Sequence, residues 1–276
     1  MKLFLKTKDY AISGEQFELH WDQKLDMLVT KPQPQDLVPY YESEDYISHT
    51  DSKSSFTDRL YQLVKSKNLK KKIQLVENQV DEVKSLLDLG AGTGDFLICA
   101  QNSGFKTTGV EPNDNARLLA HQKGVELQAS LKDVSGQKFQ AITLWHVLEH
   151  LPNLEQQIKA LVDLLEDDGV LVVAVPNFKS FDAKYYKAHW AAFDVPRHLW
   201  HFSKASITKL FAPYKLEVVK IKPMWFDAFY VCLLSEKYKG NKFYLISAFF
   251  VGLWSNLTAI FTKEQSSLIY ILKKKK

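Results

Sequence analysis

Residues 86 to 96 read Leu86-Leu87-Asp88-Leu89-Gly90-Ala91-Gly92-Thr93-Gly94-Asp95-Phe96. An apolar run, Val83 to Leu89, interrupted by Lys84 and Ser85, leads into the glycines, and a helix-like run, Asp95 to Gln101, leaves them. Strand, glycine turn and helix are written in that order. Gly90, Gly92 and Gly94 leave one face of the turn without side chains, so a ligand can approach the backbone with the helix N-terminus aimed at it. Dinucleotide enzymes use G-x-G-x-x-G here and seat a pyrophosphate on the helix. The spacing in this chain is G-x-G-x-G, and Asp95 stands where the third dinucleotide glycine would be. A carboxylate there opposes phosphate, and Asp88 at the strand end adds to it. A cationic ligand suits the turn better, and S-adenosylmethionine, with a sulfonium, an ammonium and no phosphate, has that character.

The next strand signal is Lys106 to Val110, closed by Glu111-Pro112-Asn113. An acidic residue at a second strand tip, about 20 residues past the glycine turn, can accept both ribose hydroxyls. NAD enzymes and methyltransferases share that position, so Glu111 supports nucleoside binding and the glycine spacing chooses between them. Further strands are expected at 125–129, 139–144, 169–175, 216–222 and 267–273, with helices at 95–102, 113–123, 154–165 and 203–211. Such alternation predicts an α/β, doubly wound sheet with helices on both faces and ligands at the carboxyl ends of the strands.

This arrangement resembles the class I S-adenosylmethionine-dependent methyltransferases. Trp145-His146-Val147-Leu148-Glu149-His150-Leu151-Pro152 follows the fourth strand, and Pro196-Arg197-His198-Leu199-Trp200-His201-Phe202-Ser203 is similar to the P-x-H-x-x-x-F-S stretch of a broad bacterial branch. That branch includes quinone-biosynthesis-like methyltransferases. The resemblance covers roughly residues 35 to 222 and the final strand. It implies a Rossmann-like seven-stranded sheet, S-adenosyl-L-methionine as cofactor, and transfer to a small-molecule methyl acceptor. Asp88, Gly90, Ala91, Gly92 and Gly94 would form the methionine side of the site, Glu111 and Pro112 the ribose side, Ser130 and Leu131 the adenine flank, and Trp145 and His146 a wall.

The chain of 276 residues suits one large domain with additions, and its charged and hydrophobic shares, 25% and 46%, are ordinary. A net charge of +4 does not argue for nucleic acid. The two cysteines, Cys99 and Cys232, supply neither a metal cluster nor a disulfide framework, which fits a cytoplasmic setting. The apolar part of Met1-Lys2-Leu3-Phe4-Leu5-Lys6 is too short for a secretion signal.

Five segments are expected. Residues 1–35 are an appendage, a cysteine-free hairpin of Phe17–Trp21 and Met27–Thr30 closed by Lys31-Pro32-Gln33-Pro34. Many relatives carry zinc-binding cysteines there; without them, hydrophobic contacts must hold the unit. Residues 36–80 are a helical and flap segment, with a helix from Phe56 to about Glu77 whose lysines, Lys65, Lys67, Lys70, Lys71 and Lys72, read as a solvated face. Residues 81–224 are the methyltransferase core, 225–265 a helical insertion or lid, and 266–276 the final strand and a basic tail. In the insertion, Phe243 to Phe261 contains no charge, so a membrane span has to be weighed. Phe243, Ile246, Phe250, Leu253, Leu257 and Ile260 recur at three or four, which favours an amphipathic helix packed on the domain. Peripheral membrane contact through 243–261 and the C-terminal lysines stays open.

Displacement at a sulfonium needs alignment and exclusion of water, and a base only where the nucleophile sheds a proton. The Trp145-His146 strand end is not the Asp/Asn-Pro-Pro-Tyr of nucleic-acid amino methyltransferases, and Glu149 stands without the paired glutamate of arginine methyltransferases. No cysteine near that strand can attack a pyrimidine. Elimination leaves a small molecule, at oxygen. His146 and His198 are the catalytic candidates. Tyr40, Tyr46, His49, Arg197 and His198 are the substrate-side candidates. An NAD-dependent oxidoreductase and a non-catalytic membrane-surface or partner-binding protein retaining the fold are the alternatives.

Overall fold

The computed structural model describes residues 1–41, 56–80 and 85–275, with side chains from residue 66 in the first long helix. Two sheets organise them. The larger takes strands β4 (Ser85–Leu89), β5 (Lys106–Val110), β6 (Phe139–Trp145), β7 (Leu165–Pro176), β9 (Leu216–Pro223) and β10 (Ser267–Lys274), in the order β5-β4-β6-β7-β10-β9. β5, β4, β6 and β7 run parallel, and β10 lies antiparallel between β7 and β9.

Side chains along β4 alternate between two cores. Leu87 and Leu89 join Ile142, Leu144, Val173 and helix residues Ile158, Leu161, Ile207 and Phe211. Leu86 joins Ala141, Val172, Ile271, Phe96 and Leu97, with Ile73 and Val76 of the first helix. With both faces covered, β7 carries the unbroken apolar run Val170–Val175 rather than an alternating one. The covering helices are α1 (Phe56–Glu77), α2 (Asp95–Asn102), α3 (Asp114–Gln122), α4 (Leu154–Leu164) and α6 (Lys204–Phe211). Ser203 caps α6, its hydroxyl accepting from Ser206 N at 3.1 Å.

The third of the seven expected strands, 125–129, is a single parallel bridge, Val110 to Gln128. Glu111 N donates to Gln128 O and Gln128 N to Gly109 O, each at 2.9 Å. The ladder stops there because Ser130 opens a 3₁₀ turn, Leu131–Val134, through a capping box with Asp133. Among the described residues, six strands therefore form the sheet.

The smaller sheet is β1 (Lys2–Lys8), β2 (Gln16–Asp22), β3 (Met27–Lys31) and β8 (Trp200–His201), in that order. The expected hairpin is present as β2 and β3, and β1 adds to its edge. Phe17, Leu19 and Leu28 are buried against Trp190, Phe193 and Val195 of the loop after β7.

Between β9 and β10 the chain forms α7 (Asp227–Tyr238) and α8 (Tyr244–Thr262), packed near the short α5 (Phe181–Tyr186). A buried carboxylate ties this insertion down: Asp182 accepts from Ser255, Ser266 and Trp190, each at 2.7 Å. The expected packing of α8 is reversed. Its buried residues are Ala248, Gly252, Ser255, Asn256 and Ala259, while Phe243, Ile246, Phe250, Leu253, Leu257 and Ile260 face outward. Small side chains let α8 approach α7 closely, so a Cβ on Gly252 would meet Phe229 Cδ1 at 2.9 Å.

Candidate active site

The glycine turn leaves β4 at its carboxyl end. Gly90 N donates to Val110 O at 2.8 Å and Ala91 N to the same oxygen at 3.1 Å, which locks the turn to β5. Gly90 has φ 71°, and a Cβ there would overlap Val147 Cγ2. Gly92 has φ 54°, and a Cβ there would meet nothing within 4 Å. The protein needs glycine at Gly90 for its own packing and leaves open space at Gly92, a cradle into which a ligand can settle against the backbone.

Glu111, at the tip of β5, stands across that space. Its Oε2 accepts from Gly92 N and its Oε1 from Asn113 N, both at 2.9 Å. Each carboxylate oxygen can still accept a further hydrogen bond, so Glu111 can hold a diol while staying pinned. Pro112 is exposed beside it. The hydroxyl and amide of Ser130 are both committed to Asp133, at 3.2 and 2.9 Å. Leu131 is half-buried against the core.

Asp88 is buried, and Thr143 donates to it at 2.6 Å. Burial raises its pKa to about 7, with the Thr143 hydrogen bond opposing the shift. Asp95 pairs with Lys123 at 3.0 Å. The two carboxylates at this turn are thus partly neutralised, one by protonation and one by a lysine, so their opposition to phosphate is weaker than the bare sequence implies.

At the end of β6, Trp145 packs edge-on to Phe96 with ring centroids 5.6 Å apart, and the Lys72 ammonium lies 4.3 Å from its ring centre. The sequence places Lys72 on a solvated face. Burial instead pushes its pKa down, while Asp88 and Asp227 pull it up. Its spacing of four from the buried Val76 was the available signal.

His146 adopts φ 59°, a conformation rare outside glycine and one that clusters at functional sites. Its Nδ1 is 3.3 Å from Glu149 and its Nε2 is 3.1 Å from Asp227, on the first turn of α7. Burial draws its pKa down, but the hydrogen bonds and charges of Asp227 and Glu149 prevail and hold it at about 10. Both ring nitrogens face carboxylates, so His146 is held toward the imidazolium, and this geometry favours a wall role over a base. Asp227 had no signal in the sequence.

Behind His146, Glu149, His150 and His198 converge, with one ligand-type atom from each within 4.8 Å of the others. The Glu149 carboxylate is buried, with His146 Nδ1 3.3 Å from one of its oxygens. One carboxylate and two imidazoles are also donors that a divalent cation takes. His150 Nδ1 is 3.0 Å from Arg197 O and 2.9 Å from the Tyr41 hydroxyl. Burial and the neighbouring His198 hold the His150 pKa at about 4, so it is neutral. His198 Nδ1 lies 2.9 Å from Ala192 O, and its ring meets His150 edge-on at 4.5 Å.

The other substrate-side candidates divide. Arg197 is buried and fully engaged: Nη2 donates to Asp9 at 2.9 Å and to Asp194 at 2.6 Å, and Nη1 to Tyr40 O at 3.0 Å. It ties the small sheet to the loop after β7 and offers no free donor fork to a substrate. Tyr40 turns its hydroxyl away to Glu15, at 2.6 Å. Tyr46 and His49 lie outside the described residues.

A parallel sheet with a glycine turn at one carboxyl end, an acidic strand tip beside it and an open cradle between them defines the class of Rossmann-like nucleoside-binding enzymes. Within that class, this chain belongs to the methyltransferase domain family, matched over residues 60–221. The cofactor that membership implies is S-adenosylmethionine, and the cradle and Glu111 fit it. The chain is 32% identical to the ubiquinone biosynthesis O-methyltransferase of Actinobacillus pleuropneumoniae serotype 7 over 108 residues, 34% of this chain and 46% of that one. It therefore spans about half the length of that relative. The enzyme of the same name from Rickettsia prowazekii is 22% identical over 171 residues, 56% of this chain and 68% of that one. In fold it is similar to the magnesium protoporphyrin IX methyltransferase of Synechocystis PCC 6803 with bound SAH, with TM-score 0.57, 14% identity, and 87% and 99% of the two chains covered.

Proposed function

We propose that this protein transfers a methyl group from S-adenosylmethionine to a hydroxyl oxygen of a small molecule in the cytoplasm. The observation that carries the reading is Glu111, buried and pinned by Gly92 N at 2.9 Å across the open cradle of the glycine turn. The similarity to O-methyltransferases supports oxygen as the acceptor atom.

The cofactor supplies a methyl group already activated on a sulfonium. Asp88, Gly90, Ala91, Gly92 and Gly94 would surround its amino-acid end, with ionised Asp88 as the counter-charge for an ammonium. Glu111 would accept from the ribose hydroxyls, with Pro112 beside it. Leu131 and the backbone at Ser130 would flank the adenine, since the Ser130 hydroxyl is taken by Asp133. Trp145 and the clamped imidazolium of His146 close the wall and exclude water. The acceptor hydroxyl would form its bond to the methyl carbon as the carbon–sulfur bond breaks, and its proton must leave. His146 is held charged by its two carboxylates, so the proton would go to Nε2 of His198, whose Nδ1 lies 2.9 Å from Ala192 O.

Isothermal titration with S-adenosylhomocysteine tests the donor site. Glu111→Ala should weaken binding by about 1–3 kcal/mol, the scale of lost hydrogen bonds to a charged group. An unchanged affinity removes the ribose assignment. Methyl-labelled cofactor with a fractionated metabolite extract tests the acceptor: label in a methyl ether supports oxygen, and label on nitrogen or carbon overturns it.

A further inference from the structure

We propose that α7 and α8 form an in-plane anchor that seats this protein on an anionic lipid bilayer. The primary observation is the inverted packing of α8. Its protein-facing side is Ala248, Gly252, Ser255, Asn256 and Ala259, and its outer side carries large apolar residues. Phe243 is 72% exposed, Phe250 62% and Phe261 86%. Burying a side chain of this size is worth about 1.5–3 kcal/mol, and a helix folded for water takes that gain by turning such residues inward. Small residues inward and large ones outward is the packing of helices whose outer solvent is hydrocarbon.

The face extends onto α7 and the turn before it, where Trp225, Phe226 and Tyr230 are also exposed. Trp225 and Trp254 add exposed indole rings to it, the side chain best suited to the headgroup layer. Cations stand at both ends of α8. Lys237 and Lys242 are exposed before it, with Lys237 lying 5.4 Å from the Tyr244 ring centre, and Lys263 is exposed after it. An apolar face with lysines at both ends complements an anionic bilayer surface, where each such lysine adds to attraction.

The helix lies in the plane rather than across it. Its 19 residues are long enough to span, but its inner side is held along its length. Ser255 donates to Asp182 at 2.7 Å and Asn256 to Trp225 O at 2.8 Å. A span would strip those bonds and leave Asp182 short of a donor. Through Asp227, the same α7 reaches His146, so docking brings the candidate active site to the membrane surface.

Flotation of the full chain with phosphatidylcholine vesicles, with and without phosphatidylglycerol, tests the proposal. The expected result is flotation with the anionic vesicles, reduced about tenfold or more without them. Phe250→Glu with Trp254→Glu, both exposed positions, should abolish flotation with S-adenosylhomocysteine affinity unchanged. Lys242→Glu with Lys263→Glu should remove the preference for anionic lipid and leaves the apolar face intact should the first variant fail to fold. No flotation of the wild type overturns the proposal. So does light scattering that shows a dimer dissociated by Phe250→Glu, without flotation, because a second copy then covers the face. Flotation without S-adenosylhomocysteine binding would instead refute the methyl-donor reading and leave the anchor standing.

Discussion

The Nε2 atom of His146 stands 3.1 Å from a carboxylate oxygen of Asp227, joining the loop after β6 to the first turn of the inserted helix α7. Glu149 holds the other ring nitrogen, and the imidazole is kept charged with a pKa of about 10. A folded-state pKa above the usual 6.5 stabilises the fold fully below about pH 6.5, and that contribution is lost as pH rises through about 10. The pair is partly exposed, so its coupling in a His146→Gln, Asp227→Asn double-mutant cycle should be only about 1 kcal/mol by urea denaturation at pH 7. Nuclear magnetic resonance titration should show the His146 midpoint falling in Asp227→Asn. A wild-type midpoint near 6.5 would disprove the clamp.

The glycines of the turn should separate folding from binding. Gly90→Ala drives a methyl into Val147 at positive φ and should cost about 1–3 kcal/mol of stability by denaturant melts. Gly92→Ala meets no protein atom, so its stability loss should be about 1 kcal/mol from φ alone, while S-adenosylhomocysteine binding falls sharply. Equal binding in Gly92→Ala and wild type would place the ligand elsewhere.

Asp88 predicts a pH profile. Burial holds its pKa at about 7, and an ammonium beside it favours the ionised form. S-adenosylhomocysteine should therefore bind more tightly as pH rises through 7 and weaken below it by up to about tenfold per unit. Asp88→Asn should flatten that dependence. A profile already flat between pH 5 and 8 in the wild type would remove Asp88 from the ligand's amino-acid end.

Arg197 should behave as a structural residue. Removing one partner from a buried ion pair costs about 3–5 kcal/mol, so Arg197→Met should lower stability by that amount in thermal or denaturant unfolding. A variant of wild-type stability with a raised acceptor KM would return Arg197 to the substrate.

Legibility in the sequence followed chain distance. The strand–turn–helix at residues 85–102, the acidic tip Glu111 and the apolar run of β7 are each written within a few residues, because backbone conformation and sheet burial act locally. Strand 125–129 was over-read because the pattern shows its apolar residues but not how soon the Ser130–Asp133 cap ends the ladder. β1 was passed over because Lys2–Lys8 carries a single buried residue, Thr7. The periodicity of α8 was correct, but periodicity states that one side is apolar and not which way it points.

By itself, then, the sequence determined a doubly wound α/β chain, a glycine turn with an acidic strand tip beside it, and an apolar helix before the last strand. Tertiary structure alone decided that Lys72 lies half-buried over Trp145, that Asp227 clamps His146, that Arg197 is spent on Asp9 and Asp194, and that α8 turns its large residues outward. Each of these depends on charges and surfaces from distant parts of the chain meeting at contact distance, where burial and electrostatic pairing, rather than local backbone preference, set the outcome.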